Sequence, residues 1–368
     1  MSSSSGWIPV HHSSTQIAIG NPAGDADSVV SALGWAYATT QQEASHITPV
    51  VSIARQDLLT QRPETMALFR LADVDVHALI CRDELEEELP PPPYQITLLD
   101  HNHESTGLDG TVVSILDHHV DEGQHPEATR RTIAFVDDRA LVASTCTLVA
   151  EALYDRPSIP SSLALLLLGV ILLDSINLSE TAGKVTDRDR KAVQWLSQYT
   201  PADYQTTAQH TQLFERLQSA KFDPDFWASL SVYDALRLDY KDFGGGWGLS
   251  SVALWKTQVD DDVVRFMNDK TLDFLGVLWA QPQEDGSLRR ELIWCANKSV
   301  WSDSRLDALY EHCNRQDLQL KLLCESTTHP TLTLRHYSQA NVQASRKQVA
   351  PILSDFVSTA VGVRQSPN

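Results

Sequence analysis

Asp25 and Asp27 stand two apart in the small-residue stretch GNPAGDADSVVSA at 20–32. A helix N-terminus accepts one carboxylate as a cap, but two on one tight loop repel each other unless something positive sits between them. Further acids and histidines close other apolar runs: Asp100 ends QITLLD, Asp117, His118 and His119 end VVSILDHH, and Asp174 ends LALLLLGVILLD. So many carboxyl and imidazole groups at one place are untenable in a dry site without cations. Oxygen-rich ligands with some imidazole suit Mg²⁺, Mn²⁺ or Co²⁺ better than a thiolate zinc site does. On a helix, Asp25 and Asp27 would point about 200° apart; in an extended loop, positions i and i+2 face the same way. The pair is therefore able to serve two neighbouring cations, with Asp100 shared between them. Two cations roughly 3.5–4 Å apart are the usual device for attack of hydroxide on phosphorus. Each residue alone has an ordinary structural reading, as a cap or a strand-end turn; the combination does not.

The elements that must carry these residues are legible as periodic segments. Short apolar runs at 16–20, 47–54, 76–80, 95–100, 112–117 and 132–137 read as strands, with helical patterns at 28–42 and 63–72 between some of them. That alternation predicts a parallel α/β sheet, in which ligands gather at the carboxyl ends of strands. The proline run in EEELPPPPYQ at 86–95 predicts a surface loop. A helix around 144–154, a buried helix or helix-to-strand segment at 162–174 and a charged helix at 186–197 complete a first domain, 1–197. Residues 198–215 read as a linker. A second, smaller α+β domain, 216–368, is expected to hold a helix at 223–236, strands at 247–255, 271–280, 289–298 and 331–336, and helices at 304–316 and 345–361.

Composition narrows the class. The chain has 368 residues, a formal net charge of -19 and five cysteines with no C-x-x-C pair. The length fits about two domains. The acidity argues against nonspecific nucleic-acid or anionic-membrane binding, and the odd cysteine count fits a reducing, cytoplasmic setting. The N-terminal stretch lacks a signal-peptide core, and the longest apolar run is too short to span a bilayer.

Positive charge for a polyanion is sought in the second half. Arg346 and Lys347 open the last helical pattern after Ser345, a placement that favours phosphate. Arg335 and His336, in TLRHYSQ, are read as pointing into the same cleft. FGGGWGLSS at 243–251 reads as a hairpin turn, and ASTCTLVAEALY at 143–154 as a capped helix facing the metal site, since it lacks a G-x-S-x-G elbow.

In the order GNPAGDADSVVSA, LLDHN, ILDHH and LLDSINL, the chain resembles the four motifs of the DHH phosphoesterase superfamily. NVQASRKQVAPIL at 341–353 resembles the C-terminal signature of its DHHA2 branch, which contains family II inorganic pyrophosphatases, eukaryotic exopolyphosphatases and prune-type proteins. The resemblance spans about residues 14–360. It implies an N-terminal parallel-sheet DHH domain and a smaller DHHA2 domain, with the active site in the cleft between them. One cation would be held by Asp25 and Asp100 with Asn21 nearby, the other by Asp27, Asp100, His118 and Asp174. His119 would face the substrate, Asp117 would hold a histidine in its ligating tautomer, and a water bridging the metals would attack. Lys241, in LDYKDFGG, matches a phosphate-binding lysine of the pyrophosphatases. Those pyrophosphatases carry histidine where this chain has Asn21, whereas the exopolyphosphatase and prune branch carries asparagine; animal prune proteins commonly read D-H-R where D-H-H is intact here. The expectation is a metal-dependent exopolyphosphatase acting on polyphosphate or another small phosphoanhydride, with His119 and Asp100 as its catalytic pair. The alternatives are a pyrophosphatase, a cyclic-nucleotide phosphodiesterase, or a partner-binding scaffold with a vestigial metal site. Oligomeric state stays open.

Overall fold

Buried apolar strands set the first layer of the molecule. The computed structural model describes residues 6–43, 46–103, 107–137, 139–253, 261–282 and 288–360. The chain divides into two compact units, Met1–Lys221 and Phe222–Asn368.

The first unit contains β1 (Gln16–Ile19), α1 (Ala26–Glu43), β2 (Thr48–Val51), α2 (Arg55–Gln61), α3 (Pro63–Leu71), β3 (Ile80–Cys81), α4 (Leu85–Glu88), β4 (Tyr94–Leu99), β5 (Gly110–Asp117), β6 (Arg130–Ile133), β7 (Phe135–Val136), β8 (Arg139–Ala140), α5 (Thr145–Ala152), α6 (Ser161–Asp174), α7 (Asp187–Leu196) and α8 (Thr207–Lys221). Its main sheet runs β3-β2-β1-β4-β5-β6, and every pairing in it is parallel. From β1 the chain builds outward through β2 and β3, then returns to β4 on the other side of β1. The order reverses between β1 and β4, where open parallel sheets bind ligands. Helix α6 is apolar all round, and its residues Leu163–Leu173 are buried, so it is a core helix rather than a surface one. It packs against α1, where a Cβ on Gly34 would meet Leu167 of α6 at 3.3 Å and Val149 of α5 at 2.8 Å.

The second unit contains α9 (Pro224–Ser229), α10 (Val232–Leu238), β9 (Tyr240–Asp242), β10 (Trp247–Val252), α11 (Asp261–Asp269), β11 (Phe274–Pro282), β12 (Leu288–Asn297), α12 (Asp303–Arg315), β13 (Leu320–Ser326), β14 (Leu332–Gln339) and α13 (Arg346–Ala360). Its sheet runs β13-β14-β12-β11-β10-β9. One face packs on α10 and α11 through Leu236, Val263 and Phe266. The other packs on α12 and α13 through Leu309, Val349 and Leu353. The glycines 244–246, all at positive φ, close the β9–β10 hairpin.

Several expected boundaries move. Residues 198–215 are no free linker: α8 begins inside them and buries His210, Leu213, Phe214 and Leu217, three of which join the core around α6. The unit boundary therefore falls after Lys221. The strand expected at 76–80 starts only at Ile80, as β3, because a 3-10 turn over Val76–Ala78, capped by the Asp75 side chain accepting from the His77 N–H, takes the earlier positions. The run 132–137 breaks at Ala134, whose N–H donates to the Asp117 carbonyl at 2.7 Å. The helix expected at 223–236 is two helices, since Ser231 caps α10. Positions 254–255 and 361, expected to end a strand and a helix, lie outside the described residues.

Candidate functional site

Asp25 and Asp27 answer their mutual repulsion by serving different helices. Asp25 caps α1, its Oδ1 accepting from the Ser28 N–H at 3.0 Å. Asp27, in the first turn of α1, turns toward the start of α5. Its Oδ1 accepts from Ser144 Oγ at 2.7 Å and from the Cys146 N–H at 3.0 Å, and its Oδ2 accepts from the Thr145 N–H at 2.8 Å. Two helix N-termini thus favour two carboxylates. The loop that carries them is held from behind. Arg62, 5% exposed, donates to the carbonyls of Ala23 and Gly24. Gly24 sits at φ +61, and a Cβ there would meet Ile53 at 2.6 Å, so the turn requires glycine.

The other strand ends converge on the same place. Asp100 follows β4 at φ 64, a left-handed conformation that aspartate tolerates. Its Oδ2 accepts from Asn21 Nδ2 at 2.8 Å and Ser28 Oγ at 2.9 Å. Its Oδ1 accepts from Thr145 Oγ1 at 3.2 Å. His118 Nδ1 lies 3.1 Å from the Val142 carbonyl, which can only accept, so this nitrogen carries the proton. That leaves His118 Nε2 as the nitrogen facing Asp100 Oδ1, 3.4 Å away, and Asp27 Oδ2, 3.9 Å away. An imidazole nitrogen beside two carboxylate oxygens in a buried pocket is a donor set that suits a cation. Ligand atoms of Asp100, His118 and His119 all lie within 4.8 Å of one another.

Electrostatics say the same. Burial, then the charges of Asp27 and Asp25, push the Asp100 carboxyl well above the usual carboxylate range. Asp174, half-buried at the end of α6, is raised by burial and then by Asp27, with Lys221 opposing. Asp117 goes the other way. Burial pulls it up, but His119 and His118 beside it and the Asn102 amide hold it below that range on balance. Its Oδ1 accepts from His119 Nδ1 at 2.8 Å, which leaves His119 Nε2 as the outward nitrogen. The histidine that Asp117 fixes is therefore His119, while the Val142 carbonyl fixes His118.

Asn21 lies beside Asp100. Its Oδ1 accepts from the Ala23 N–H at 2.8 Å and the Gly24 N–H at 3.3 Å. Those donors fix the amide, so Nδ2 faces Asp100. In this arrangement the Asn21 N–H orients Asp100.

In the second unit the candidates disperse. Arg335 and His336 are adjacent on β14, and successive strand residues face opposite sides. Arg335 pairs with Glu325 and Asp307 at 2.7 Å each, and His336 pairs with buried Glu291. They do not share a cleft, and both are committed to acids. Arg346 donates to the Asp239 carbonyl at 3.0 Å and to its carboxylate. Lys347 is exposed beside it on α13. Lys241, on β9, lies 5.6 Å from the Phe243 ring. Gln348 reaches back to accept from the Ser345 N–H at 3.0 Å, which closes the first turn of α13.

Comparison with known proteins decides the family. The model for the DHH family, N-terminal domain, matches residues 16–170, and the model for the DHHA2 domain matches residues 215–356. The chain is a DHH–DHHA2 protein. It is 29% identical over 361 residues to the human protein named exopolyphosphatase PRUNE1, covering 93% of this chain and 75% of that one. It is 28% identical over 362 residues to a Schizosaccharomyces pombe protein named "Putative exopolyphosphatase", covering 92% of this chain and 90% of that one. These matches make this DHH–DHHA2 chain a DHH-family phosphoesterase, a hydrolase class that depends on metal. No helix among the described residues is long and apolar enough to cross a membrane.

Sequence reasoning passed over residues that hold this cluster in place: Ser28 on Asp100, Arg62 on the loop carbonyls of Ala23 and Gly24, and Asn102 on Asp117. Asn102 alone carried a local signal, two positions after Asp100 in LLDHN. The rest act across long sequence separations.

Proposed function

We propose that this chain is an exopolyphosphatase that releases orthophosphate from the ends of linear polyphosphate, using two divalent cations. The observation that carries the reading is the approach of His118 Nε2 to Asp100 Oδ1 and Asp27 Oδ2, at 3.4 and 3.9 Å. Asp25, Asp27, Asp100, Asp174 and His118 would hold the cations, and this hard, oxygen-rich set with one imidazole suits Mg²⁺, Mn²⁺ or Co²⁺. When bound, the cations supply Lewis acidity and an activated water. His119, with Nδ1 bonded to Asp117, presents Nε2 to a phosphate oxygen and orients or protonates it. Asn21 and Ser28 hold the Asp100 carboxylate in place, and the α5 N-terminus holds Asp27. Lys347, Arg346 and Lys241 supply positive charge for the phosphate chain, with Arg346 leaving Asp239 to do so. The exopolyphosphatase names of the relatives support polyphosphate as the substrate.

The test is hydrolysis of polyphosphate, pyrophosphate and cyclic AMP in parallel, read as orthophosphate from the first two and as AMP from the third, each with Mg²⁺, Mn²⁺ and Co²⁺, for the wild type and Asp100→Asn. Polyphosphate is expected to be cleaved fastest, and the variant to lose turnover and bind Mn²⁺ more weakly. Faster hydrolysis of pyrophosphate or cyclic AMP would overturn the substrate assignment. Wild-type turnover retained by Asp100→Asn would overturn the site.

A further inference from the structure

Asn102 is 2% exposed and makes bonds in three directions. Its Nδ2 donates to Asp117 Oδ2 at 2.6 Å and to the Val120 carbonyl at 2.8 Å. Its Oδ1 accepts from the Glu122 N–H at 2.8 Å. A backbone N–H can only donate and a carbonyl can only accept, so the amide orientation is fixed at both ends. Asp117 in turn divides its oxygens. Oδ2 takes Asn102, while Oδ1 takes the His118 N–H at 2.7 Å, the His119 N–H at 3.2 Å and His119 Nδ1 at 2.8 Å. Asn102 thus spans from the end of β4 to the loop that follows β5 and anchors that loop on both sides of the histidine pair.

We propose that Asn102 is a positioning residue for the hydrolytic step: it fixes Asp117, and through Asp117 the ring of His119, so that Nε2 is held toward the substrate. This rests on the reading of His119 as the substrate-facing histidine. The chemistry requires an amide. Asparagine is the residue of this size that gives two N–H bonds to Asp117 and Val120 while accepting from Glu122. An aspartate there keeps the shape and the bond from Glu122 but sets a second carboxylate against Asp117. Alanine removes the donor without adding a charge.

That contrast is the experiment. Asn102→Asp and Asn102→Ala are compared with the wild type, with His119→Ala and with the double variants, in polyphosphate hydrolysis. Histidine-selective ¹⁵N NMR is recorded on the same proteins, and Mn²⁺ affinity is measured by calorimetry. Loss of a charge-assisted bond predicts a fall of about ten- to a hundredfold in kcat for Asn102→Ala, and a larger one for the isosteric Asn102→Asp. Mn²⁺ affinity is expected to hold. The hydrogen-bonded Nδ1 proton of His119, protected from exchange in the wild type, is lost in both variants. In the His119→Ala background neither substitution costs further activity, because the relay has lost its end. If Asn102→Asp does not fold, Asn102→Ala carries the same cycle and the same NMR reading. Asn102→Asp as active as the wild type or better than Asn102→Ala, an equal loss with and without His119, or an unchanged His119 Nδ1 signal would each overturn the proposal. A wild type that cleaves no phosphoanhydride would overturn the proposed function instead, and the NMR arm would still judge the Asn102 relay.

Discussion

At the scale of single residues, chemistry depends on which partner each polar atom has already taken. Arg335 donates to Glu325 and Asp307 and is 7% exposed, so its charge is spent inside the second unit. Lys347 is exposed at the start of α13. The two basic residues therefore separate experimentally. Arg335→Ala leaves two acids without their cation and removes packing. It should lower the unfolding free energy by about 0.5–2 kcal/mol, mainly through lost packing because Asp307 and Glu325 reach solvent, with KM for polyphosphate unchanged. Lys347→Ala should leave stability within about 0.5 kcal/mol and raise KM severalfold. Urea denaturation and initial-rate kinetics check both. A raised KM in Arg335→Ala at wild-type stability would restore Arg335 to the substrate site.

At the scale of elements, the site is built by one helix start held from two sides. The α5 N-terminus receives Asp27 from α1, and the segment before it is tied to α7. Buried Asp189 accepts from the Ala143 N–H at 3.0 Å, from Thr147 Oγ1 at 2.6 Å and from the Thr186 N–H at 2.8 Å. Val142, whose carbonyl fixes the His118 tautomer, directly precedes this anchor. Asp189→Ala leaves the buried Ala143 N–H and the Thr147 hydroxyl unsatisfied, at about 1–3 kcal/mol for each group. Its expected outcome is a destabilised protein that, where still folded, binds Mn²⁺ more weakly, because His118 loses its fixed orientation. Calorimetric titration at a temperature well below the unfolding midpoint checks it. Wild-type Mn²⁺ affinity would show that α7 supports the fold without setting the site.

For the molecule as a whole, cation binding, pH and stability are one linked equilibrium. In metal-free protein Asp100 and Asp174 hold their protons more tightly than in the unfolded chain, first because they are buried and next because Asp27 lies near. Their contribution to stability is complete below the ordinary carboxylate range and is lost as pH rises through their raised values. Asp117 has the opposite sign: its contribution is present above the ordinary range and lost as acidification passes through its lowered value. Cations bind the ionised carboxylates, release the protons and restore the stability lost on the neutral side. Addition of Mn²⁺ should therefore raise the melting temperature more at about pH 7 than at about pH 5, with the first unit responding. An equal metal-induced shift at both pH values would show that the raised carboxyls are not the ones that bind.

The sequence by itself determined the first sheet and the ends of its strands. Apolar runs such as QITLL stop where an acid begins, and that pattern needs only neighbouring residues to be read. It also determined which acids and histidines stand at the strand ends, since Asp100 and Asp117 close β4 and β5. Tertiary structure decided how they are used. Asp27 meets Ser144 across 117 positions, a contact that no local pattern encodes. The Asn21 amide turned its oxygen to its own loop and its N–H toward Asp100, a pairing that no local pattern encodes. Arg335 and His336 lay side by side in sequence, but the pleat sent them to opposite faces, where acids from distant strands and a helix claimed them. The segment 198–215, polar enough to read as a linker, holds most of α8, because Leu213, Phe214 and Leu217 found the flank of an entirely apolar helix to cover. Periodicity tells which face is apolar; only packing tells what that face, or a carboxylate's second oxygen, will meet.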